Sequence, residues 1–442
     1  MKIIETGRTR LGAAVLLAGL AVAACGGGEG DGGTSPTQPA STEAPVTTET
    51  PVASEAPSET GSPAVEEAGP PTGEEMLVGM VNTEGTPGLD FPDIRRFAAG
   101  AFDYVNEHGG FGNRPVRLVT CIAKGSPETS QSCAQELVGK GVELVLLGLD
   151  LFPDYKTYEA AGIPVIGALP ILPIDYTANA LFMTGGNATV TAVMAAVAKE
   201  YIGASKVGIL SADNAGANST VSSLEAALAA VGIEFETVKG GDNETDAGYQ
   251  GLMREVASGN PDLIVSLYSD AGCIGTMRGR AALGITIPVI TTNICADDDV
   301  IVQVGDDADG WMFVGVPADV ESPERAVLRR VIAPVLGVAE DEVDTTGLGL
   351  GSLGSLLVLS LRTHAAQMVE EGLEVTGPSL YEYLQGDHGL VLFGGETPLE
   401  CGALEKYPAV CTFALPVAEY KGDGLVAPVE GLELVDAKAY LP

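Results

Sequence analysis

Short apolar runs alternate with helical patterns along most of the chain from residue 76 onward. The run 77–81 is followed by turn residues and then by apolar positions at helical spacing between Ile94 and Val105. Asp90 and Pro92 stand where helix caps and first-turn prolines occur, and glycines end the pattern. The next units are predicted as strands at 116–121, 142–147 and 164–167 and helices at 129–138 and 155–161. Apolar strands that alternate with helices indicate a parallel sheet covered on both faces.

The same alternation starts again after residue 183. It predicts strands at 206–210, 233–238, 263–267, 288–291 and 312–316, with helices at 189–201, 220–231, 249–257, 274–283 and 300–304. A helical pattern returns at 324–335 and 353–371, and 389–442 reads as short strands and loops. Two such series predict an α/β protein with two lobes.

The first 25 residues have the pattern of an export signal. A basic start is followed by the apolar run 11–22, which is too short to span a bilayer, and then by small residues that end at Cys25. This ending resembles the lipobox of bacterial lipoproteins, which implies that Cys25 is diacylated and becomes the new N-terminus. A plain secretory signal with a chance cysteine is the alternative.

Residues 26–75 have the composition of a tether. They hold eight of the 27 prolines and ten acids but no Lys or Arg, and their only larger aliphatic residues are three valines. Burial of so little apolar surface cannot offset the entropy lost on ordering, so the segment is predicted to be disordered. We therefore expect an extracytoplasmic protein, lipid-anchored to the outer face of the cell membrane.

The charge of the chain narrows its partners. It has 60 Asp and Glu against 23 Lys and Arg, a formal net charge of -37. Nucleic acids and anionic lipid headgroups would repel such a polyanion, so nucleic-acid binding is not expected.

The six cysteines after Cys25 fall into three sequence-local pairs. Loop closure favours local pairing when an exported chain oxidises, so we predict the disulfides Cys121–Cys133, Cys273–Cys295 and Cys401–Cys411. A zinc site is the competing use of cysteines, but the chain has no C-x-x-C and no histidine near a cysteine. We expect no metal and no cofactor.

Three further motifs have a plainer explanation than the chemistry they suggest. Residues 349–354 match G-x-G-x-x-G but follow no strand, so a loop that leads into a helix is favoured over a dinucleotide site. The acids 297–299 lack the spacing of a calcium loop and fit the start of a helix. With three histidines and no G-x-S-x-G, the chain is not expected to be an enzyme.

The segment 98–118, AAGAFDYVNEHGGFGNRPVRL, resembles the type I periplasmic binding proteins, the leucine/isoleucine/valine-binding family that feeds ABC importers. Residues 132–148 and 261–269 resemble later parts of the same fold, and the likeness runs from residue 77 to about residue 430. It implies two Rossmann-like lobes joined by a three-crossing hinge, with an N-lobe of 77–187 plus 318–390 and a C-lobe of 188–317 plus 391–442.

Ligands of open α/β sheets bind beyond the carboxyl ends of the strands, so residues just after each strand become the candidate ligand contacts. In the N-lobe these are Asn82, Thr83, Glu84, Thr86, Asp150, Phe152, Tyr155 and the loop 168–172 with Ala168 and Leu169. In the C-lobe they are Asp213, Asn214, Tyr268, Ser269, Asp270 and Asn293.

Three loops depart from the amino-acid-binding members of that family. Residues 148–153 replace a Ser/Thr-rich loop, 167–172 replace a loop of small residues and Thr, and Asn293 stands where a carboxylate often occurs. Unpaired charge in a closed cleft is costly, so a free amino acid is not the expected ligand. We expect a less polar or differently substituted small molecule, with Phe152, Leu169 or Tyr268 as apolar cover.

The resemblance implies a solute-binding lipoprotein that captures a small molecule between its lobes and delivers it to an ABC permease. We expect a monomer. A ligand-binding sensor or adaptor of the same fold without transport is the main alternative, and a lipid-anchored hydrolase is the second.

Overall fold

The computed structural model describes residues 69–441 apart from 87–89, 317–319, 346, 396 and 422–425. The signal peptide, Cys25 and the tether as far as residue 68 lie outside the described residues. No helix within the described part of the chain is long and apolar enough to cross a membrane.

The first sheet is formed by consecutive strand–helix units. Its elements are β1 (Met76–Thr83), α1 (Pro92–Glu107), β2 (Val116–Ala123), α2 (Pro127–Gly139), β3 (Leu144–Leu147), α3 (Tyr155–Ala161), β4 (Val165–Gly167) and β5 (Leu181–Phe182). The strands are parallel in the order β2-β1-β3-β4-β5. All four residues of β3 are buried, as a strand covered by helices on both faces requires.

The second series of units follows directly. It comprises α4 (Gly186–Ala196), β6 (Lys206–Ala212), α5 (Ala215–Ala230), β7 (Glu234–Gly240), α6 (Asp246–Ser258), β8 (Leu263–Leu267), α7 (Asp270–Leu283), β9 (Val289–Thr292), α8 (Asp298–Val304) and β10 (Trp311–Val314). A π-helical turn, Val197–Ile202, continues α4. Helix α5 begins well before the predicted residue 220 because Asn214 caps it, its Oδ1 accepting the amide of Ala217 at 2.9 Å.

The chain then returns to the first sheet with three helices, α9 (Pro323–Leu336), α10 (Ser352–Glu370) and α11 (Gly377–Leu384). Leu328, Leu357 and Leu380 share one core with Met80 and Phe102. Gly354 allows α10 to lie close against α1, since a Cβ there would come within 1.8 Å of the Ile94 carbonyl oxygen. The sequence pattern missed α11, which has only eight residues and is defined by the capping box of Thr376 and Ser379.

The last strands are β11 (Ala414–Leu415), β12 (Val417–Tyr420), β13 (Val426–Pro428) and β14 (Val435–Asp436). The second sheet has the order β13-β12-β10-β9-β8-β6-β7, in which β12 and β13 are antiparallel to their neighbours, and β11 pairs with β14. The prediction of an α/β protein with two parallel-dominated sheets is confirmed.

Part of the segment predicted for the C-lobe lies against the first sheet. We expected the C-lobe to resume at residue 391, but Leu399 and Cys411 are buried in the core of the first sheet, and Val410 forms a parallel bridge with Phe182. After α11, the chain returns to the second sheet only with β12. Leu399 and Cys411 therefore extend the core of the first lobe, which we call the N-lobe; the second sheet with its helices is the C-lobe.

The three predicted disulfides are present, Cys121–Cys133, Cys273–Cys295 and Cys401–Cys411. Cys273–Cys295 ties α7 to the 3-10 turn Asn293–Ala296, so it connects the segments that follow β8 and β9. This prediction is confirmed.

Candidate functional site

The candidate residues lie at the carboxyl edges of the two parallel sheets, after β1, β3 and β4 in the N-lobe and after β6, β8 and β9 in the C-lobe. The lobes touch beside these edges, where the amide of Asp298 in α8 donates to the carbonyl oxygen of Gly347 at 3.1 Å. Gly347 precedes a 3-10 turn, Gly349–Gly351, that lies against Phe97 of α1. The loops of the two edges therefore meet at this point.

Asn82 is fully buried, and its amide is used within the N-lobe. Its Nδ2 donates to Glu84 Oε1 at 3.2 Å and to the carbonyl oxygen of Phe91 at 2.9 Å. Its Oδ1 accepts the amide of Leu149 at 2.9 Å. Asn82 thus joins the segments after β1 and β3 and has no free N–H for a ligand.

Glu84 forms a bidentate ion pair with Arg95. The guanidinium Nε donates to Oε1 at 2.6 Å and its second nitrogen donates to Oε2 at 3.0 Å. Burial would raise the pKa of Glu84, but the hydrogen bonds from Arg95 and Asn82 outweigh it and hold the pKa below the usual range. Lys124 Nζ donates to the Glu84 carbonyl oxygen at 3.0 Å, so both nearby cations are engaged by this one residue.

The two threonines after β1 differ in their surroundings. Thr83 is fully buried, and its hydroxyl has no hydrogen-bond partner among the described residues. Thr86 is half-buried beside Gly125. Thr83 is therefore the more constrained of the two.

Asp150 is buried at the end of β3. Its Oδ1 accepts the hydroxyl of Ser130 at 2.7 Å and the amide of Phe152 at 3.1 Å. Burial raises the pKa of Asp150, although the Ser130 hydrogen bond acts in the opposite direction. Phe152 itself remains 38% exposed, so its ring is available at the edge of the N-lobe.

Tyr155 contacts Asp175, a residue that the sequence pattern did not indicate as part of the site. The Tyr155 hydroxyl donates to Asp175 Oδ1 at 2.7 Å, and Asp175 Oδ2 accepts the amides of Ile171 and Leu172 at 2.8 and 2.7 Å. Asp175 is only 1% exposed. Its signal in the sequence was a lone acid directly after the apolar stretch 168–174, with no base beside it.

Ala168 and Leu169 begin the loop after β4. Ala168 is buried, and its carbonyl oxygen accepts both the hydroxyl and the amide of Thr184, at 2.7 and 3.0 Å. Leu169 is partly buried and packs against the N-lobe core. These bonds fix the start of the loop.

Asp213 and Asn214 follow β6 in the C-lobe. Asp213 is exposed, and its Oδ1 accepts the side-chain Nδ2 of Asn218 at 3.2 Å. The Nδ2 of Asn214 donates to Asp242 Oδ1 at 2.6 Å, and Asn214 caps α5. Asn214 thus has a local structural role, and the Asp213 carboxylate remains accessible.

The segment after β8 separates into one buried and two exposed residues. The Tyr268 ring lies inside the C-lobe, with an edge-to-face contact to Tyr249 at 5.7 Å between ring centroids. Burial raises the pKa of its hydroxyl. Ser269 and Asp270 are exposed, and Asp270 has a φ of 41°, in the left-handed region that non-glycine residues rarely adopt.

Asn293 follows β9 and is half-buried, and its side chain has no hydrogen-bond partner among the described residues. Asp297 caps α8 by accepting the amide of Asp299 at 3.0 Å, so the capping role expected for the acids 297–299 is confirmed. Burial raises the pKa of Asp297.

Asp298 lies against the N-lobe loop. The residue as a whole is exposed, but Gly347 covers its carboxyl so closely that a Cβ at Gly347 would lie 1.9 Å from Oδ1. Burial and the carboxyl of Asp344, with which it shares a hydrogen bond, raise the pKa of Asp298 to about 6. Two carboxyl groups from different lobes therefore meet here.

The G-x-G-x-x-G segment and the histidine in α10 have structural roles. The G-x-G-x-x-G segment forms a 3-10 turn that leads into α10, as expected of a loop. Within the described ranges, no group of three or more His, Cys, Asp or Glu residues could hold a metal ion. His364 is buried in α10, where burial lowers its pKa to about 4.

Two surface cavities lie away from the carboxyl edges. One of about 360 Å³ is lined by Gln250 of α6 and Arg278 of α7, and one of about 420 Å³ is lined by Arg114, Glu143 and Leu373. Neither contains a nominated site residue.

Comparisons with known proteins agree with this architecture. The sequence profile of the family described as "Periplasmic binding protein" matches residues 64–338. No curated protein sequence is significantly similar to the chain.

Solved structures similar to the chain include an ABC transporter substrate-binding protein from Sphaerobacter thermophilus (18% identity, TM-score 0.63, covering 82% of this chain and 98% of that one). A leucine-binding protein from Thermotoga maritima has 14% identity and a TM-score of 0.58, with 80% and 97% covered. A solute-binding protein from R. palustris, in complex with benzoate, has 17% identity and a TM-score of 0.58, with 83% and 98% covered.

These likenesses show a shared fold of two α/β lobes, and the profile spans more than half of the chain. This chain therefore belongs to the periplasmic binding protein family.

Proposed function

We propose that the protein is an extracytoplasmic lipoprotein that captures a small molecule between its two lobes and delivers it to an ABC importer. The observation that carries this proposal is the meeting of the two carboxyl edges at Asp298 and Gly347 in a member of this family. Ligands of open α/β sheets bind beyond such edges, so a molecule held between them contacts both lobes.

The lipid anchor is proposed from the sequence around Cys25, where small residues and a cysteine follow an apolar run. An acyl label should follow the wild-type protein into the membrane fraction and be lost in Cys25→Ser. A labelled Cys25→Ser protein would contradict the anchor without affecting the binding function.

Ligand binding is tested by thermal melts of the purified full-length protein with amino acids, amides, short peptides, aromatic acids and polyols. A ligand at 100 times its Kd adds about 2.7 kcal/mol to the free energy of unfolding, which raises the Tm by a few degrees. We expect a shift with one chemical class. A panel without any shift, after removal of co-purified ligand, would contradict the proposal.

Two variants localise the site. Phe152 and Leu373 are both exposed apolar residues of the N-lobe, at 38% and 45%, but only Phe152 lies at the carboxyl edge. Phe152→Ala should reduce the ligand-induced shift, and Leu373→Ala should keep it. Equal shifts in both variants would count against a site at this edge.

Import is separated from sensing by uptake of the labelled ligand into cells with and without the protein. Uptake that requires the protein supports delivery to an importer. Binding without an effect on uptake would favour a sensor or adaptor, and turnover of a bound compound would favour a hydrolase.

A further inference from the structure

The carboxylate of Asp175 is enclosed by donors of its own lobe. It accepts the amides of Ile171 and Leu172 and the hydroxyl of Tyr155, at 2.8, 2.7 and 2.7 Å, and it is 1% exposed. Three hydrogen bonds compensate the burial of this charge, because bonds to an ionised acceptor are stronger than neutral ones.

These donors are the ones that the loop after β4 could have offered to an anion. Pro170 and Pro173 have no N–H, and the amide of Ala168 donates to Leu147 in the sheet at 2.9 Å. With the amides of Ile171 and Leu172 taken by Asp175, only two N–H groups of residues 168–174 remain. The loop thus lacks the paired backbone donors that hold carboxylates.

The charges around the loop also disfavour an anion. Asp150 lies near enough to Asp175 that the charge of Asp175 contributes to its raised pKa, after burial. The cations Arg95 and Lys124 are engaged by Glu84. A carboxylate at this wall would meet negative charge in a partly dry setting, where repulsion is weakly screened.

The C-lobe edge adds acceptors. Asp213 and Asp270 are exposed, and Asp297 directs one carboxylate oxygen to the α8 amide that it caps. A ligand that donates hydrogen bonds, such as an amine or amide, meets exposed acceptors at the C-lobe edge, whereas an anion meets like charge on both lobes.

We propose that Asp175 is a specificity-determining residue, whose carboxylate occupies the donors of the loop after β4 and so makes the cleft select amines and amides over carboxylates. This inference rests on the proposed function, since it names the chemical class that the same cleft accepts. Asp175 acts on the ligand through the N–H groups and the charge that it controls, so it is a positioning residue.

Matched ligand pairs test the selection. Leucine with leucinamide, benzoate with benzamide and benzylamine, and 4-hydroxybenzoate with 4-hydroxybenzamide differ mainly in the carboxylate. Calorimetric titration of the full-length protein should give a Kd at least about tenfold lower for the amide or amine member of the pair that binds. Tighter binding of the carboxylate would overturn the inference while leaving the proposed function intact.

Two variants assign the effect to Asp175. Asp175→Asn keeps the size of the side chain but removes its charge and one acceptor, so the Kd ratio within the pair should fall toward one. Asp262→Asn is the control, because Asp262 also accepts two backbone amides and a hydroxyl but precedes β8, at the opposite end of the sheet, so the ratio should persist. A melt and a circular dichroism spectrum establish that each variant is folded.

The other possible results of these titrations also support or contradict the role of Asp175. An unchanged ratio in folded Asp175→Asn would overturn the role of Asp175. If that variant does not fold, the ratio in the wild-type protein still supports or contradicts the selection. If no member of any pair binds, the proposed function fails for these ligand classes and the inference fails with it.

Discussion

Different interactions hold the loops of the carboxyl edge in place in each lobe. In the N-lobe, buried polar side chains join neighbouring segments: Asn82 joins the segments after β1 and β3, and Asp175 closes the loop after β4 on α3 through Tyr155. In the C-lobe, the segments after β8 and β9 are joined by Cys273–Cys295, and Asp213 and Asp270 remain exposed. At the N-lobe edge, Asn82 and Asp175 therefore have their hydrogen bonds within the lobe, whereas the C-lobe edge retains exposed acceptors.

This difference indicates that the two edges have different roles, one in shaping the cleft and the other in binding the ligand. A polar group whose hydrogen bonds are complete gains nothing by turning to a ligand, because it would have to break one bond to make another. A covalent cross-link places no such demand on the polar side chains beside it. We expect the N-lobe edge to supply shape and the C-lobe edge to supply most of the polar contacts.

The largest effect is expected when the C-lobe cross-link is removed. The bond closes a loop with a sequence separation of 22, and both sulfurs are buried. Cys273→Ser with Cys295→Ser should lower the free energy of unfolding by about 3 kcal/mol and weaken ligand binding, measured by denaturant unfolding and titration.

Cys121→Ser with Cys133→Ser is the matched control, since it opens a loop with a sequence separation of 12 between β2 and α2. It should cost similar stability but leave affinity unchanged. If both double variants lost affinity equally, the C-lobe bond would have no special role at the edge.

The next largest effect on stability is expected from the asparagine side chains at the two edges. Asn82→Ala leaves the buried amide of Leu149 without its acceptor, so the free energy of unfolding should fall by about 2–3 kcal/mol. Asn293→Ala removes the same side chain at the C-lobe edge, where it has no hydrogen-bond partner among the described residues, and should cost less than about 0.5 kcal/mol. Urea unfolding of both variants checks this, and equal losses would refute the contrast between the edges.

The smallest effect is expected from the carboxyl pair where the edges meet. The pKa of Asp298 rises from 3.8 to about 6 in the folded protein, mainly by burial and then by Asp344. Its contribution to stability is therefore fully present below pH 3.8 and is lost as the pH rises through 6. Asp298→Asn should be more stable, relative to wild type, at pH 7.5 than at pH 4, by less than about 1 kcal/mol because solvent screens the pair.

Melts of both proteins between pH 4 and pH 7.5 measure this difference. His364 titrates in the opposite sense, since its pKa falls from 6.5 to about 4 and its contribution is lost as the pH falls, but it cancels in the comparison at each pH. Asn293→Ala, which removes an uncharged side chain of the same lobe, is the control and should show no such trend. If the difference in stability between Asp298→Asn and wild type did not change with pH, the carboxyl pair would have no effect on stability.

Much of the fold could be predicted from local patterns. The strand at 263–267 was predicted with its observed bounds, because four of its five buried residues are apolar and polar turns flank it. Helix α11 was missed because eight residues hold barely two turns. The packing of Leu399 and Cys411 in the N-lobe core was not predicted, because they lie in loops without a hydrophobic period.

The site was predicted less completely, for a different reason. Order along the chain identifies the residues that follow each strand, so Asn82, Asp150 and Asp213 could be nominated. It does not tell whether a polar side chain points to the cleft or into its own lobe, and Tyr268 and Asn214 turned out to be engaged within the C-lobe.

Local sequence patterns were enough to predict the two-lobe α/β class, the three disulfide pairs and the residues that follow each strand, because each of these depends on neighbours in the chain. Three features became visible only in the folded protein: Asp175 closes the loop after β4, the Asp298 and Asp344 carboxyls meet, and Leu399 and Cys411 lie in the N-lobe core. These contacts join residues that are distant in the chain or hidden within a loop, and their energies depend on burial and hydrogen-bond geometry, which a linear pattern does not contain.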